Sequence, residues 1–161
     1  MSNCAIEAAT PADVPEILAL IRELAEYERL LHEVVATEAS LEQALFGAGS
    51  NVEAVVARAD GVVAGFALYF HNFSTFLSRR GLYLEDLYVR PEHRGKGYGH
   101  ALLSHLAALA LDRGCGRLEW TVLDWNRRAI DFYQAMGAVP VSDWTIFRVS
   151  GDALDKLAGR G

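Results

Sequence analysis

Apolar positions recur along this chain with two periods, and the switches between them outline a mixed α/β protein. AIEAA (5–9) alternates and predicts a first strand. DVPEILALIRELAEYERL (13–30) then places Val14, Ile17, Leu18, Ile21, Leu24 and Ala25 on one side of a helix. Asp13 and Glu16 have the spacing of a capping box, and Pro15 falls in the first turn, where its missing N–H costs nothing. A second helix is predicted from Thr37 to about Gly47, which would serve as its C-terminal glycine. VEAVVARADGVVAGFALYF (52–70) reads as a hairpin turned at Asp60-Gly61. A loop rich in Ser, Phe and Arg leads to a strand, LYLEDLYV (82–89). A glycine-rich loop, a helix through about Arg113 and a strand, RLEWTVL (117–123), follow. NRRAIDFYQAM (126–136) predicts a helix with Asn126 as N-cap and Gly137 just past its end. WTIFRV (144–149) reads as a last strand, and a short helix or tail finishes the chain.

No linker or repeat interrupts this order, so residues 1–161 are expected to form a single α/β domain with a strand–loop–helix–strand unit at its centre. With 52% apolar residues the chain can bury a sizeable core. MSNCAIEAATPAD lacks a basic start followed by an apolar run, and no apolar segment approaches the ~20 residues needed to span a bilayer. Cys4 and Cys115 lie far apart and fit no paired or metal spacing, which suits reduced thiols in a cytoplasmic protein. A net charge of -6 argues against general nucleic-acid binding. His100 and His105 are not at i,i+4 and there is no HExxH, so no metal site is expected.

The candidate chemistry centres on VRPEHRGKGYGHALL (89–103), where Gly95, Gly97 and Gly99 open a helix. Bare backbone at a helix start suits an anion, because the first N–H groups are unpaired and carry the positive end of the dipole. A nucleotide loop, a coenzyme loop and a tight turn all meet that description. A P-loop needs Ser or Thr after Gly-Lys, and Gly95-Lys96 is followed by Gly97. A dinucleotide fingerprint needs GxGxxG directly after its strand, and RPEHR intervenes here.

RGKGYG (94–99), preceded by LYLEDLYVRPEHR and followed by DWNRRAIDFYQAMGA (124–138), resembles the pyrophosphate loop and its setting in the GCN5-related N-acetyltransferases (GNAT). Within that family the chain is most similar to the diamine (spermidine/spermine) and thialysine acetyltransferases, nearly end to end, including LIRELAEYE (20–28) and WTIFRV. It departs at the hairpin around Asp60 and in HNFSTFLSRRG (71–81), both of which can border an amine site. The resemblance implies a GNAT fold with a mixed central β-sheet flanked by helices. It further implies acetyl-CoA as acyl donor, a small cationic amine as acceptor, and a homodimer. An aminoglycoside, a protein N-terminus, or a non-catalytic acyl-CoA sensor are the alternatives.

Acetyl transfer to an amine sets two proton tasks. An alkylammonium with a pKa near ~10 must lose a proton before it attacks, and the departing thiolate should gain one. Glu85, in an apolar strand, is the candidate base or amine ligand, an assignment the resemblance shares. Strand alternation turns Asp86 to the opposite face, where a structural or dimer role is expected. By resemblance Tyr133 protonates the sulfur and also touches the coenzyme; a core aromatic is the plain reading from pattern. The resemblance places Leu87, Tyr88 and Val89 along the pantetheine arm through their main chain. It places Arg94, Gly95, Lys96, Gly97, Tyr98, Gly99 and His100 around the pyrophosphate, and Asn126 against the coenzyme. Tyr27 and Glu28 match a polyamine-contacting pair, although pattern alone makes them a solvated helix end. Glu119, Trp120 and Thr121 match a further substrate-lining stretch, while Trp144 and Phe147 suit a core or a subunit interface.

Overall fold

A computed structural model describes residues 4–161, which form two compact units, one ending at Thr121 and one from Val122 to Gly161. The first carries a five-stranded sheet in the order β1-β2-β3-β4-β5: β1 (Cys4–Ala8), β2 (Val52–Ala59), β3 (Val62–Ser74), β4 (Arg79–Val89) and β5 (Leu118–Glu119). The first four strands pair antiparallel and β5 joins β4 in parallel, so the sheet is mixed. Three helices belong to this unit: α1 (Val14–Tyr27), α2 (Glu38–Phe46) and α3 (Tyr98–Asp112).

Alternation along β2 shows how the sheet is covered. Ala54 and Val56 join Ile17, Leu18, Leu20, Leu41 and Leu45 of α1 and α2 in one apolar cluster with Phe66 and Leu68. Val55 and Ala57, pointing the other way, are equally buried, and α3 packs there with Leu102, Leu103 and Leu106 inward. Two covered faces explain why β2 and β3 read as nearly unbroken apolar runs. The β2–β3 turn has Asp60 at φ 52° and Gly61 at φ 81°, the left-handed pair that the Asp-Gly dipeptide predicts.

Local departures from the sequence reading have physical causes. The capping box lies one turn early: the Asp13 carboxylate accepts from the Thr10 N–H at 2.9 Å and from its hydroxyl at 3.2 Å. With Arg58 on its other oxygen at 2.6 Å, Asp13 has no side-chain bond left for the first turn of α1. Gly47 does end α2, but at φ -73°, and the left-handed region is not what selects glycine there. A Cβ at that position would collide with Gln43. The Ser-, Phe- and Arg-rich stretch is mostly strand, with β3 and β4 paired out to Ser74 and Arg79. RLEWTVL forms ladder bonds only at Leu118 and Glu119.

The second unit holds α4 (Arg127–Ala135) and α5 (Gly151–Leu157). WTIFRV is not a strand: residues 138–150 form no helix or ladder. Periodicity supplies a face but not a partner, and a strand needs both. Trp144, Ile146 and Phe147 are consequently exposed, which removes the core reading of Trp144 and Phe147.

Candidate active site

The middle of β4 is irregular where the candidate chemistry lies. Asp86 stands opposite Leu68, yet Leu84 stands opposite Tyr69, which leaves Glu85 as an extra residue in a β-bulge. Strict alternation therefore fails at Glu85-Asp86. Glu85 is exposed and Asp86 half-buried. The Asp86 carboxyl is pushed up to about 6, first by burial and then by the charges of Glu85 and Glu28. Glu28 closes the C-terminus of α1, and burial pushes its carboxyl up as well. The charges of Glu28 and Glu85 thus both bear on Asp86, from two elements. Acidic groups so placed would attract a cation.

The end of α1 is itself held in an uncommon shape. Arg29 has φ 63°, a left-handed conformation usually left to glycine after a helix. The Leu30 N–H closes the turn onto the Ala25 carbonyl at 2.7 Å.

Beyond Tyr83, β4 has no ladder partner on its β5 side among the described residues, because the parallel pairing stops at Tyr83–Glu119. Leu87, Tyr88 and Val89 pair on their other side with Ala67, Phe66 and Gly65. One edge of this segment is therefore available to an extended ligand. The glycine loop follows. Gly95 (φ 77°) and Gly97 (φ 87°) are both left-handed, and a Cβ at either would meet nothing within 4 Å. The requirement is for backbone conformation and for open approach, not for close packing. Gly97 caps α3 without any side-chain bond to the first turn. Tyr98 is buried and anchors the helix, whereas Lys96 and His100 are exposed beside the loop. Such a cradle fits the phosphates of a coenzyme.

Arg94 lies against α1 and β4. Its guanidinium lies 5.6 Å from the Tyr27 ring centroid and 5.5 Å from that of Tyr88, and its Nε donates to the Val89 carbonyl at 3.0 Å. Arg90 binds Glu16 and Glu23 of α1 at 3.0 and 3.1 Å, and the Tyr88 hydroxyl reaches Glu23 at 3.4 Å. None of these α1–β4 links was read from the sequence, since charges seventy residues apart give no local signal.

The remaining candidates divide. Glu119 lies in β5 opposite Tyr83 and pairs loosely with Arg117 at 3.8 Å; Trp120 is half-buried and Thr121 exposed. In the second unit, the Asn126 side chain caps α4 by accepting from the Ala129 N–H at 3.3 Å. Tyr133 is half-buried on α4, its ring 5.6 Å from Phe132. Asp86, for which a structural or dimer role is expected, is half-buried and stands beside a bulge that periodicity does not reveal.

A bulged, half-open central strand thus runs into a glycine cradle at a helix start. The sequence profile of the acetyltransferase (GNAT) family matches residues 17–138. A thialysine N-epsilon-acetyltransferase of Bos taurus is 42% identical, the alignment covering 99% of this chain and 100% of that protein. An L-ornithine N5-acetyltransferase of Arabidopsis thaliana is 35% identical over 94% of this chain and 86% of its own. An integron cassette protein from the mobile metagenome of V. cholerae superposes with a TM-score of 0.81 at 31% identity, over 96% of this chain and 97% of that one. The chain belongs to the GNAT family and is an acetyltransferase.

Proposed function

We propose that the protein transfers the acetyl group of acetyl-CoA to a primary amine of a small substrate carrying two amino groups, a diamine, polyamine or thialysine-like diamino acid. The observation that carries this reading is that the half-buried Asp86 carboxyl takes up the charges of both Glu85 and Glu28. One cation at such a site leaves most of the negative charge uncompensated; a second ammonium offsets more of it. The substrates for which the two sequence relatives are named, thialysine and ornithine, agree with a terminal amine on a diamino compound.

Acetyl-CoA supplies an acetyl thioester when bound, its pyrophosphate at Gly95–Gly99 and its arm along Leu87–Val89. Lys96 and His100 add donors beside the loop, and Asn126 contributes as the resemblance implies. Glu85, through water, accepts the proton that the ammonium must lose before its nitrogen attacks the acetyl carbon. Asp86 and Glu28 hold the substrate's charge, with Tyr27, Glu119, Trp120 and Thr121 lining its path. Tyr133 donates its phenolic proton to the departing sulfur. The protein is proposed to be one domain over residues 1–161, supported by a family match over residues 17–138 that runs from the first compact unit into the second. It is proposed to be a cytoplasmic homodimer without nucleic-acid or membrane partners. The exposed Trp144, Ile146 and Phe147 support a subunit interface. Among the described residues, no helix is long and apolar enough to cross a membrane and the cysteines are free.

A panel assay of thiol release over diamines, diamino acids, an aminoglycoside and matched monoamines tests the reading. Turnover highest with diamino compounds is expected. Turnover confined to the aminoglycoside, or none beside measurable acetyl-CoA binding, would replace it.

A further inference from the structure

A cation at the start of a coenzyme loop invites assignment as a phosphate ligand, but the surroundings of Arg94 describe another task. The guanidinium lies over the ring of Tyr88, which is 7% exposed, and over that of Tyr27 at the end of α1. Its Nε is committed to the Val89 carbonyl. The contact is the last rung of a ladder that binds α1 to β4 and the loop: Glu16 and Glu23 to Arg90, Glu23 to the Tyr88 hydroxyl, and Tyr27 to Arg94. The next residue along α1 is Glu28, and the one after it, Arg29, holds the chain at φ 63°. A left-handed turn at a residue with a side chain is unfavourable by itself and needs surrounding contacts to hold it.

We infer that Arg94 is a positioning residue for the amine: its side chain braces the glycine loop against Tyr27 and so sets the place of Glu28 in the acidic site. The coenzyme phosphates are left to the N–H groups of the loop. This rests on the amine and coenzyme reading given above. It links the two substrates physically, because the loop that holds the donor also fixes the helix end that holds the acceptor.

The guanidinium is what the brace requires, since its charged centre lies over two rings while its Nε donates to a carbonyl, and lysine has no donor along its stem. Arg94→Lys keeps the charge and loses the brace; Arg94→Gln loses both. The measurements are the coenzyme A Kd by calorimetry, and kcat and KM for a diamine and its matched monoamine, with melting curves as a control on folding. For Arg94→Lys the diamine KM should rise roughly three- to tenfold while the monoamine KM, kcat and the coenzyme A Kd stay within about twofold. In a Tyr27→Leu background the same substitution should add less than about twofold, because the stack is already gone. An unchanged diamine KM in Arg94→Lys overturns the brace, as does an equal rise for both amines. So does an Arg94→Gln variant whose only defect is a coenzyme A Kd raised about tenfold or more, which would make the side chain a phosphate ligand. A wild type indifferent to the second amino group removes the amine reading itself, and that is seen before any variant is made.

Discussion

The charge of Glu28, at the end of α1, bears on the carboxyl of Asp86, in the middle of β4, although 57 residues separate them in the chain. Burial contributes most to the rise of the Asp86 carboxyl to about 6, and Glu85 adds to it. A carboxyl in that range is ionised at neutral pH yet protonated in mild acid, which gives the site a pH signature.

The folded state holds the Asp86 proton more tightly than an unfolded chain does, where the ordinary value is 3.8. Asp86 therefore does not oppose folding below about pH 4, and opposes it increasingly as the pH rises to about 6. Asp86→Asn should match the wild-type melting temperature near pH 4 and exceed it above pH 6. Its kcat/KM for a diamine should fall at pH 7.5, and the acidic limb of its pH profile should move to lower pH. Melting curves and rates over pH 4–8 check both, and a difference in melting temperature that does not vary with pH would contradict the first.

Asp13 has the opposite sign. Burial raises its carboxyl, but the bonds from Arg58 and Thr10 outweigh that and hold it below the usual range. Its contribution is present above the ordinary carboxylate value and is lost as pH falls through the lowered one. Asp13→Asn should cost about 1–3 kcal/mol at pH 7, since it leaves Arg58 and the Thr10 N–H poorly matched. The gap from wild type should narrow in acid. Denaturant titrations at pH 7 and pH 3.5 measure it.

Gly97 combines a conformational and a binding requirement. At φ 87°, alanine should cost about 1 kcal/mol of stability. Its methyl group would also project into the open space where a phosphate approaches, so coenzyme A affinity should fall by roughly tenfold or more. Calorimetry and melting curves separate the two losses; unchanged affinity would make Gly97 a turn residue only.

Tyr133→Phe removes one hydroxyl and keeps the ring against Phe132. If the phenol protonates the departing sulfur, kcat should fall by roughly ten- to a thousandfold with little change in KM for acetyl-CoA. Stopped-flow thiol release measures it, and an unaltered kcat would assign the proton to water.

The fold was legible wherever an element carries its own signal. The Asp60-Gly61 turn, the Asn126 cap and the period of α1 are local facts, and each stands where the sequence placed it. What failed were inferences that need a partner. WTIFRV has the pattern of a strand and no ladder, and Asp13 has the spacing of a cap but is claimed by Arg58, forty-five residues away. At the candidate site the glycine loop and Glu85 were visible as residue types in context. The bulge at Glu85, the half-buried charge of Asp86 and the stacking of Arg94 arise from register and packing between distant segments. No window of sequence contains them.

The acidic cluster is expected to read a second ammonium. The direct measurement is kcat/KM for a diamine and for the monoamine of equal length, in wild type and in Glu28→Gln, at one fixed ionic strength because partly exposed charges are screened. The wild type should prefer the diamine by roughly five- to a hundredfold, equivalent to about 1–3 kcal/mol. Glu28→Gln should lose most of that preference through KM while leaving the monoamine rate nearly intact. Equal rates for the two amines in wild type, or an equal loss for both in Glu28→Gln, would contradict it.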